Sequence, residues 1–493
     1  MTTNDFPSEL FLPFLNQSSE LPQYALLFRA FQQAILQGDL IPGAKLPASR
    51  PLSTTLKVSR NTVKAAYEML QAEGYIETRQ GAGSFVSEQV PDQSKRLGGQ
   101  SISPSQSNAN PALSDMAMRM QHYQSTHSSD AGELLAPAKC CTESFPWNQW
   151  QKQVTKAARQ MKFFPSNSVM GNDLLRGQIA NYLQVTRGVH CDPEQVMICS
   201  GSQHALYLSF QLLLNSGDTV WLEDPGYHGI SGALASVGAT AFAVPTDTDG
   251  FDLPYAINHK PTARAALVTP SHNYPMGFTL SLERRLALID WAKQQGTWII
   301  EDDYDSEFRY EGPPLTALQG LGGEDCVIYA GTFTRILHPS IRLGYLVTPK
   351  RLIEPFNHAK RYIDGGISQL PQLALGEFMA SGQFASHVRR MRKLYQHRRE
   401  VLNQAIEDAF TGTLQRIAGD GGMHSVYLLD SKYNDVSLCK LTNQQGLGIR
   451  ALSNYYQSDE PQQGLVIGFA GFNDGEIQRG VTLLQSSFER LTL

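Results

Sequence analysis

The sequence predicts an α/β protein in two parts: a small helix-turn-helix module with a hairpin wing, then a mostly parallel, helix-covered sheet with a small α+β part at its C-terminal end. Three observations predict it. A first block with helical periodicity ends in a hairpin-like segment. A stretch with almost no large apolar residue follows, SEQVPDQSKRLGGQSISPSQSNANPALS. Beyond it, the apolar β-rich runs QVMICS, TVWLED, AALVTP, TWIIED and VIYAG alternate with helical stretches. The predicted boundaries are 1–88 for the first module, 89–115 for a flexible linker and 116–493 for the remainder, split into a large part at 150–348 and a small part at 349–493.

Composition bounds the reading. At roughly 150 residues per domain, 493 residues allow about three domains and at least one large core. With 41% hydrophobic and 18% charged residues, the chain is neither a charged disordered polymer nor a membrane bundle. Its most apolar run, Ala205 to Leu214, is interrupted by Ser209 and Gln211 and is about half the ~20 residues of a spanning helix, so no membrane partner is predicted. The start, MTTNDFPSEL, has no basic stretch leading into an apolar one, which predicts a cytoplasmic protein. Six cysteines without CxxC pairs or ligand spacing predict free thiols in a reducing compartment and no metal site. The net charge of −5 disfavours a protein that is basic throughout.

The first element, QYALLFRAFQQAIL, places Tyr24, Leu27, Phe28, Phe31, Ile35 and Leu36 on one helical face. PASRPLSTTLK then offers Ser49 as a cap, with Leu52 and Leu56 as a short apolar stripe. A tight turn at Val58–Ser59 leads into SRNTVKAAYEMLQAEG, where Val63, Ala66, Tyr67 and Leu70 face inward and Gly74 stops the helix. YIETRQGAGSFVSEQV reads as two short strands around a glycine turn. Between Lys45 and Lys64 stand five cations (Lys45, Arg50, Lys57, Arg60, Lys64) and no acid. Positive charge at the start of a recognition helix suits phosphates, and Arg60, Asn61 and Thr62 are placed to reach base edges in a major groove.

LPASRPLSTTLKVSRNTVKAAYEMLQAEGYIETRQGAGSFV resembles the DNA-binding domain of GntR-family bacterial regulators over its whole length. The resemblance points to Arg50, Ser59, Arg60, Asn61, Thr62 and Lys64, with Gln80 and Gly81 at the wing, as contacts to a double-stranded DNA operator. Ser59 has a second reading, as a helix N-cap alone. Pro51 stands where Glu or a small residue is more usual, and proline at a helix start is harmless.

In the second part, CSGSQHALYL joins a strand end, a glycine turn and a helix start, a place where backbone N–H groups meet a phosphate. EDPGYHG projects Tyr227 from a strand end, TPSHNYPMG is a polar, turn-rich strand end, and IIEDDYDSEFRY places Asp302, Asp303 and Tyr304 where ligands of open α/β sheets sit. Together these resemble fold-type I pyridoxal-phosphate-dependent enzymes of the aminotransferase kind; behind a GntR-like module, they resemble the MocR subfamily over nearly the entire chain. The resemblance implies that Asp302 pairs with the pyridine nitrogen of pyridoxal 5'-phosphate and Tyr304 with its phenolic oxygen. It further implies that Tyr227 stacks on the ring and that Ser202, Gln203, Thr332 and Arg342 hold the phosphate. A head-to-tail homodimer is implied as well.

The Schiff-base position departs from the pattern. Where the family places its Schiff-base lysine, YAGTFTRILHPSIRLGYLV has Arg335. A guanidinium stays protonated and cannot form an imine, so a covalent lysine link is excluded here, and no catalytic residue is predicted. Lys350 and Lys360 lie well past the motif. Three readings of Arg335 stay open: a natural pocket that binds the cofactor, or its conjugate with an amino acid, non-covalently; an engineered substitution; or a pocket reused for another small anion, with Arg335 as clamp. The late strand GLVIGFAGF lacks the usual substrate-carboxylate arginine, leaving Arg450 as the nearest effector-binding candidate, or as a solvated cation. His228, His272 and His338 stand beside motif residues. The predicted function is a DNA-binding transcriptional regulator whose aminotransferase-like part senses a small-molecule effector. The alternatives are a working aminotransferase with an appended DNA-binding domain and an inert dimerisation scaffold.

Overall fold

The computed structural model describes residues 11, 21–89, 112–121, 133–137, 139–163 and 168–492. The chain divides into two compact units, Met1–Pro111 and Ala112–Leu493. Most of the predicted linker, and the first ten residues, lie outside the described residues.

The first unit contains α1 (Gln23–Gln37), α2 (Ser49–Leu56), α3 (Arg60–Ala72) and an antiparallel hairpin of β1 (Ile76–Arg79) and β2 (Gly83–Val86). α1 buries Leu26, Leu27, Ala30, Phe31, Ala34 and Ile35. Tyr24, predicted inward, is 40% exposed. The apolar face turns toward the small residues Ala30 and Ala34, which leave room for α3 to pack closely. Ser49 is not a cap. Ala48 occupies that position without a side-chain bond, and Ser49 is the first helical residue. α3 buries Val63, Ala66 and Leu70, while Tyr67 is half-buried, donates to Pro47 O at 2.9 Å and meets Phe31 edge-on at 5.5 Å.

The second unit opens with α4 (Asp115–Gln121), so Asp115, placed in the predicted linker, is already helical. Then come α5 (Trp147–Gln160), α6 (Asp173–Arg187), β3 (Val196–Cys199), α7 (Ser202–Leu213), β4 (Thr219–Asp224), α8 (Ser231–Val237), β5 (Thr240–Asp247), β6 (Gly250–Phe251), α9 (Leu253–His259), β7 (Ala265–Val268), α10 (Leu282–Gln295), β8 (Trp298–Asp303), β9 (Val327–Thr332) and β10 (Gly344–Val347). Their strands form one eight-stranded sheet in the order β3-β10-β9-β8-β7-β4-β5-β6. β4, β5, β7, β8 and β9 run parallel, while β10 is antiparallel to both neighbours. β3 and β7 to β10 are buried at every residue, which is why they read as unbroken apolar runs.

The remainder comprises α11 (Ile353–Ile363), α12 (Gln369–Ala380), α13 (Gln383–Phe410), β11 (Leu414–Arg416), β12 (His424–Leu429), α14 (Asp435–Gln444), β13 (Arg450–Ala451), β14 (Gly464–Gly468) and α15 (Asp474–Thr492). Its antiparallel sheet runs β11-β12-β14-β13. The predicted boundary at 349 needs correction. Leu373, Leu375 and Phe378 of α12, with Phe384 and Val388 of α13, share the core of Trp150, Leu175 and Ile179. From Met391 onward α13 joins Tyr427 and Ile467 through Leu402 and Ile406. The boundary therefore falls inside one 28-residue helix whose two ends serve different cores, and a helix without a break leaves no punctuation to read.

Candidate functional site

The site lies at the carboxyl ends of the parallel strands. Cys199 at the end of β3 pairs with Gly344 of β10, which pairs in turn with Thr332 at the end of β9. This ladder sets the turn after β3 against the strand ends that carry Thr332 and Arg342. Gly201 caps α7 with φ +82. A Cβ on Gly344 would come within 2.8 Å of the Gly201 backbone and 2.9 Å of Gly331 O, so only glycine permits this approach. Thr332 is buried, and its hydroxyl accepts from Thr334 N at 3.2 Å. Gln203 Nε2 donates to the Tyr227 hydroxyl at 2.9 Å, tying the start of α7 to the turn after β4. Arg342 is exposed and left-handed, with φ +47, just before β10.

On the neighbouring strand, Asp302 of β8 pairs with Ala330 of β9 and is 6% exposed, and its Oδ1 has no hydrogen-bond partner among the described residues. Burial raises this carboxyl to about 7; Asp303, Glu223 and Asp305 push it the same way, and Arg335 opposes them. A buried anion with an open acceptor fits a ring N–H⁺, the group that pyridoxal phosphate would bring. Tyr304 and His272 Nδ1 share a hydrogen bond of 2.8 Å, and Asp305 Oδ2 lies 3.2 Å from the same nitrogen. Tyr274 joins the predicted residues to one another. Its ring meets Tyr227 and Tyr304 at 5.9 Å and Tyr455 at 5.3 Å, all edge-on, and its hydroxyl lies 3.0 Å from that of Tyr455.

Arg335 follows β9 and is half-buried. Its charge favours ionised Asp302 and Asp305, acts on Tyr227 and Tyr274, and helps burial hold His424 down at about 3. Arg450, half-buried on β13, makes no side-chain hydrogen bond or ion pair among the described residues, and its charge is felt by Tyr274 and Tyr455. His228 lies beside Tyr455, with Nε2 buried and without a partner among the described residues. His338 is elsewhere: it accepts from Ser340 N at 3.2 Å and packs against Trp147.

In the first unit, Ser59 caps α3, its Oγ accepting from Thr62 N at 3.0 Å and bonding Thr62 Oγ1 at 2.8 Å. Arg60, Asn61 and Lys64 are exposed on the first turns of that helix, and Arg60 Nε reaches Ser49 Oγ at 3.4 Å. Arg50 is exposed on α2, and Gln80 and Gly81 are exposed at the hairpin tip. The eight predicted DNA contacts thus occupy the helix start, the preceding helix and the wing.

Residues 23–86 match the family of bacterial regulatory proteins, gntR family, and residues 135–484 match aminotransferase class I and II. The chain is 34% identical to the probable rhizopine catabolism regulatory protein MocR of Rhizobium meliloti, over 96% of this chain and 95% of that protein. The chain belongs to the MocR subfamily of GntR-family transcriptional regulators. This MocR-type chain is also 32% identical to the HTH-type pyridoxine biosynthesis transcriptional regulator PdxR of Corynebacterium glutamicum, over 92% of this chain and 93% of that one. Among solved structures it is similar to LysN, an α-aminoadipate aminotransferase of Thermus thermophilus, with a TM-score of 0.69 at 22% identity, covering 77% of this chain and 98% of that one. The fold-type I aminotransferase architecture is therefore present in a DNA-binding transcriptional regulator.

Reading the regulator's sequence missed several pocket residues. Tyr274, Tyr455 and His424 converge with the predicted ones, and the buried Asn273 side chain favours the ionised form of Glu223. Asn273 and Tyr274 stand in TPSHNYPMG, a polar, turn-rich strand end, so a signal for them is present in the sequence. Tyr455 and His424 carry no local signal, because the small part brings them in from more than a hundred residues away. Lys360, well past the Arg335 motif in sequence, is fully buried, ion-paired with Asp364 at 2.5 Å, and its charge reaches Cys199 at the end of β3.

Proposed function

We propose that this regulator binds pyridoxal 5'-phosphate reversibly in the aminotransferase-like unit and transmits occupancy to a promoter-bound winged helix. The carrying observation is the buried Asp302 carboxylate with an open oxygen, in a pocket where arginine replaces the lysine that would hold the cofactor covalently. Asp302 takes the ring nitrogen, Tyr304 the phenolic oxygen and Tyr227 the ring face; Ser202, Gln203, Thr332 and Arg342 take the phosphate. When bound, the cofactor supplies an aldehyde able to engage an amino compound. Arg335 and Arg450 offer guanidinium forks to an effector's anionic group. Without an amine at position 335 the chain has no route to sustained transamination. The protein acts in the cytoplasm as a homodimer on a repeated or palindromic operator.

Purified protein is expected to melt at higher temperature with pyridoxal phosphate, to gain no borohydride-stable mass from it, and to transfer no amino group between an amino acid and a keto acid. Absence of a thermal shift would remove the cofactor; sustained transfer would restore the enzyme reading. On the DNA side, Arg60→Ala is expected to weaken operator binding by about 10- to 100-fold, the scale of one lost base contact, and log affinity should fall linearly with log salt. Unchanged binding in a mobility-shift titration would refute this assignment of the recognition helix. Ser59→Ala removes a cap and should cost about 1 kcal/mol in urea unfolding of the first unit. Ser59→Asp keeps the cap but sets a carboxylate against DNA phosphate, so it should preserve stability and lose binding; if it binds as the parent does, Ser59 is a cap only.

A further inference from the structure

Three side chains behind the proposed phosphate turn have no part in that reading, yet they form a continuous line. His204, on the first turn of α7, accepts the Ser200 N–H at Nδ1 with a distance of 3.1 Å. Its Nε2 lies 3.5 Å from Asp364 Oδ2, just after α11. That same oxygen pairs with Lys360 Nζ at 2.5 Å, and Asp364 Oδ1 accepts from Gly366 N at 2.8 Å. Lys360 is wholly buried, a placement that is costly for an ammonium unless something fixed depends on it. We propose that Lys360, Asp364 and His204 are positioning residues that hold the Ser200–Gly201–Ser202 turn in the shape that receives a phosphate, an inference that rests on the phosphate reading given above.

The chemistry follows from the tautomer. Accepting from Ser200 requires a bare Nδ1, which leaves the ring proton on Nε2, facing Asp364. Asp364 Oδ2 lies against both Lys360 Nζ and that ring nitrogen, so the pair fixes where the Nε2 proton points. Protonating Nδ1 would set one N–H against another, push Ser200 away and turn the Gly201 and Ser202 amides from their places. The charged groups facing His204 are Lys360 and Asp364; Cys199, at the end of β3, is a third titratable group that feels the charge of that pair. Burial and Lys360 lower the pKa of His204 while Asp364 opposes them, so the neutral ring persists through the neutral range and the turn fails only in acid.

The test is calorimetric titration of the full-length protein with pyridoxal phosphate and, separately, inorganic phosphate, from pH 5.5 to 8. His204→Gln keeps an acceptor and a donor without a titrating group, so it should match the parent at pH 8 and bind more tightly than the parent at the acid end. Comparing the two cancels the ligand's own ionisation. Lys360→Met removes the charge that lowers the His204 pKa and should move the acid loss to higher pH. His204→Leu should weaken both ligands by about tenfold, the scale of one buried amide left unsatisfied. Equal binding by His204→Leu, or superimposable parent and His204→Gln profiles, would overturn the relay and leave the phosphate site standing. Failure of the parent to bind either ligand would overturn the phosphate reading itself. If His204→Leu does not fold, the parent-to-glutamine comparison decides alone.

Discussion

Arg335→Lys is expected to turn a reversible pyridoxal phosphate complex into a covalent one. The guanidinium is protonated at every working pH and has no lone pair for the aldehyde, whereas a lysine amine in a partly buried pocket gives up its proton more readily. The rest of the frame is in place: Thr332 closes β9, Arg342 precedes β10, and Asp302 Oδ1 has no partner among the described residues. Incubation with the cofactor followed by borohydride should leave the variant heavier by one reduced cofactor and the parent unchanged, as read by intact-protein mass. Peptide mapping must then find the label at position 335. An unlabelled variant that still shifts its melting temperature with the cofactor would mean that residue 335 does not face the aldehyde.

Asp302→Asn is expected to abolish the cofactor-induced thermal shift while making the ligand-free protein more stable at neutral pH. Both effects come from one carboxylate. Its ionised form is what a ring N–H⁺ needs, and losing a buried charge partner removes most of the affinity. In the ligand-free protein that same ionised form is penalised, since burial first, then Asp303, Glu223 and Asp305, raises the folded pKa to about 7 from 3.8. A carboxyl raised in the folded state binds more protons there than in the unfolded chain, so its contribution is fully present below the unfolded pKa and is lost as pH rises to the folded one. At roughly 1.4 kcal/mol per pH unit of separation, the advantage of Asp302→Asn should grow from pH 4 to pH 7 and then level off. Melting curves across this range check it. A variant less stable than the parent at pH 8 would show that the carboxylate is satisfied in the free protein.

The binding and stability roles conflict in a way common to ligand sites. Glu223 and Glu301 are also raised to about 7 by burial. Nearby, Arg187 is buried against Asp303 at 2.9 Å, offsetting part of the charge. Burial thus disfavours the ionised forms of the acids at the ends of β4 and β8.

Much of this architecture was legible in the residue order. Periods near 3.6 and 2, glycine turns and the apolar-poor stretch predict the winged helix and the alternating sheet, because amphipathic helices and fully buried strands each impose a local pattern. The local reading erred where packing chose among similar residues: Tyr24 for Leu26, Ser49 for Ala48 as cap, and a domain boundary hidden inside an unbroken helix. The sequence alone also established that position 335 has no imine-forming amine, since that is a matter of composition.

Only the tertiary structure decided what meets at the site. Cys199, Gly344 and Thr332 become neighbours through strand register, and the close contact of Gly201 with Gly344 follows from it. Tyr274 touches Tyr455 across 181 positions, and Lys360 supports the turn after β3 from a helix beyond the motif that contains Arg335. Short-range periodicity specifies which face of an element is buried. Which buried faces come together is set by the pairing of strands and helices distant in the chain, and a ligand pocket is made of those pairings.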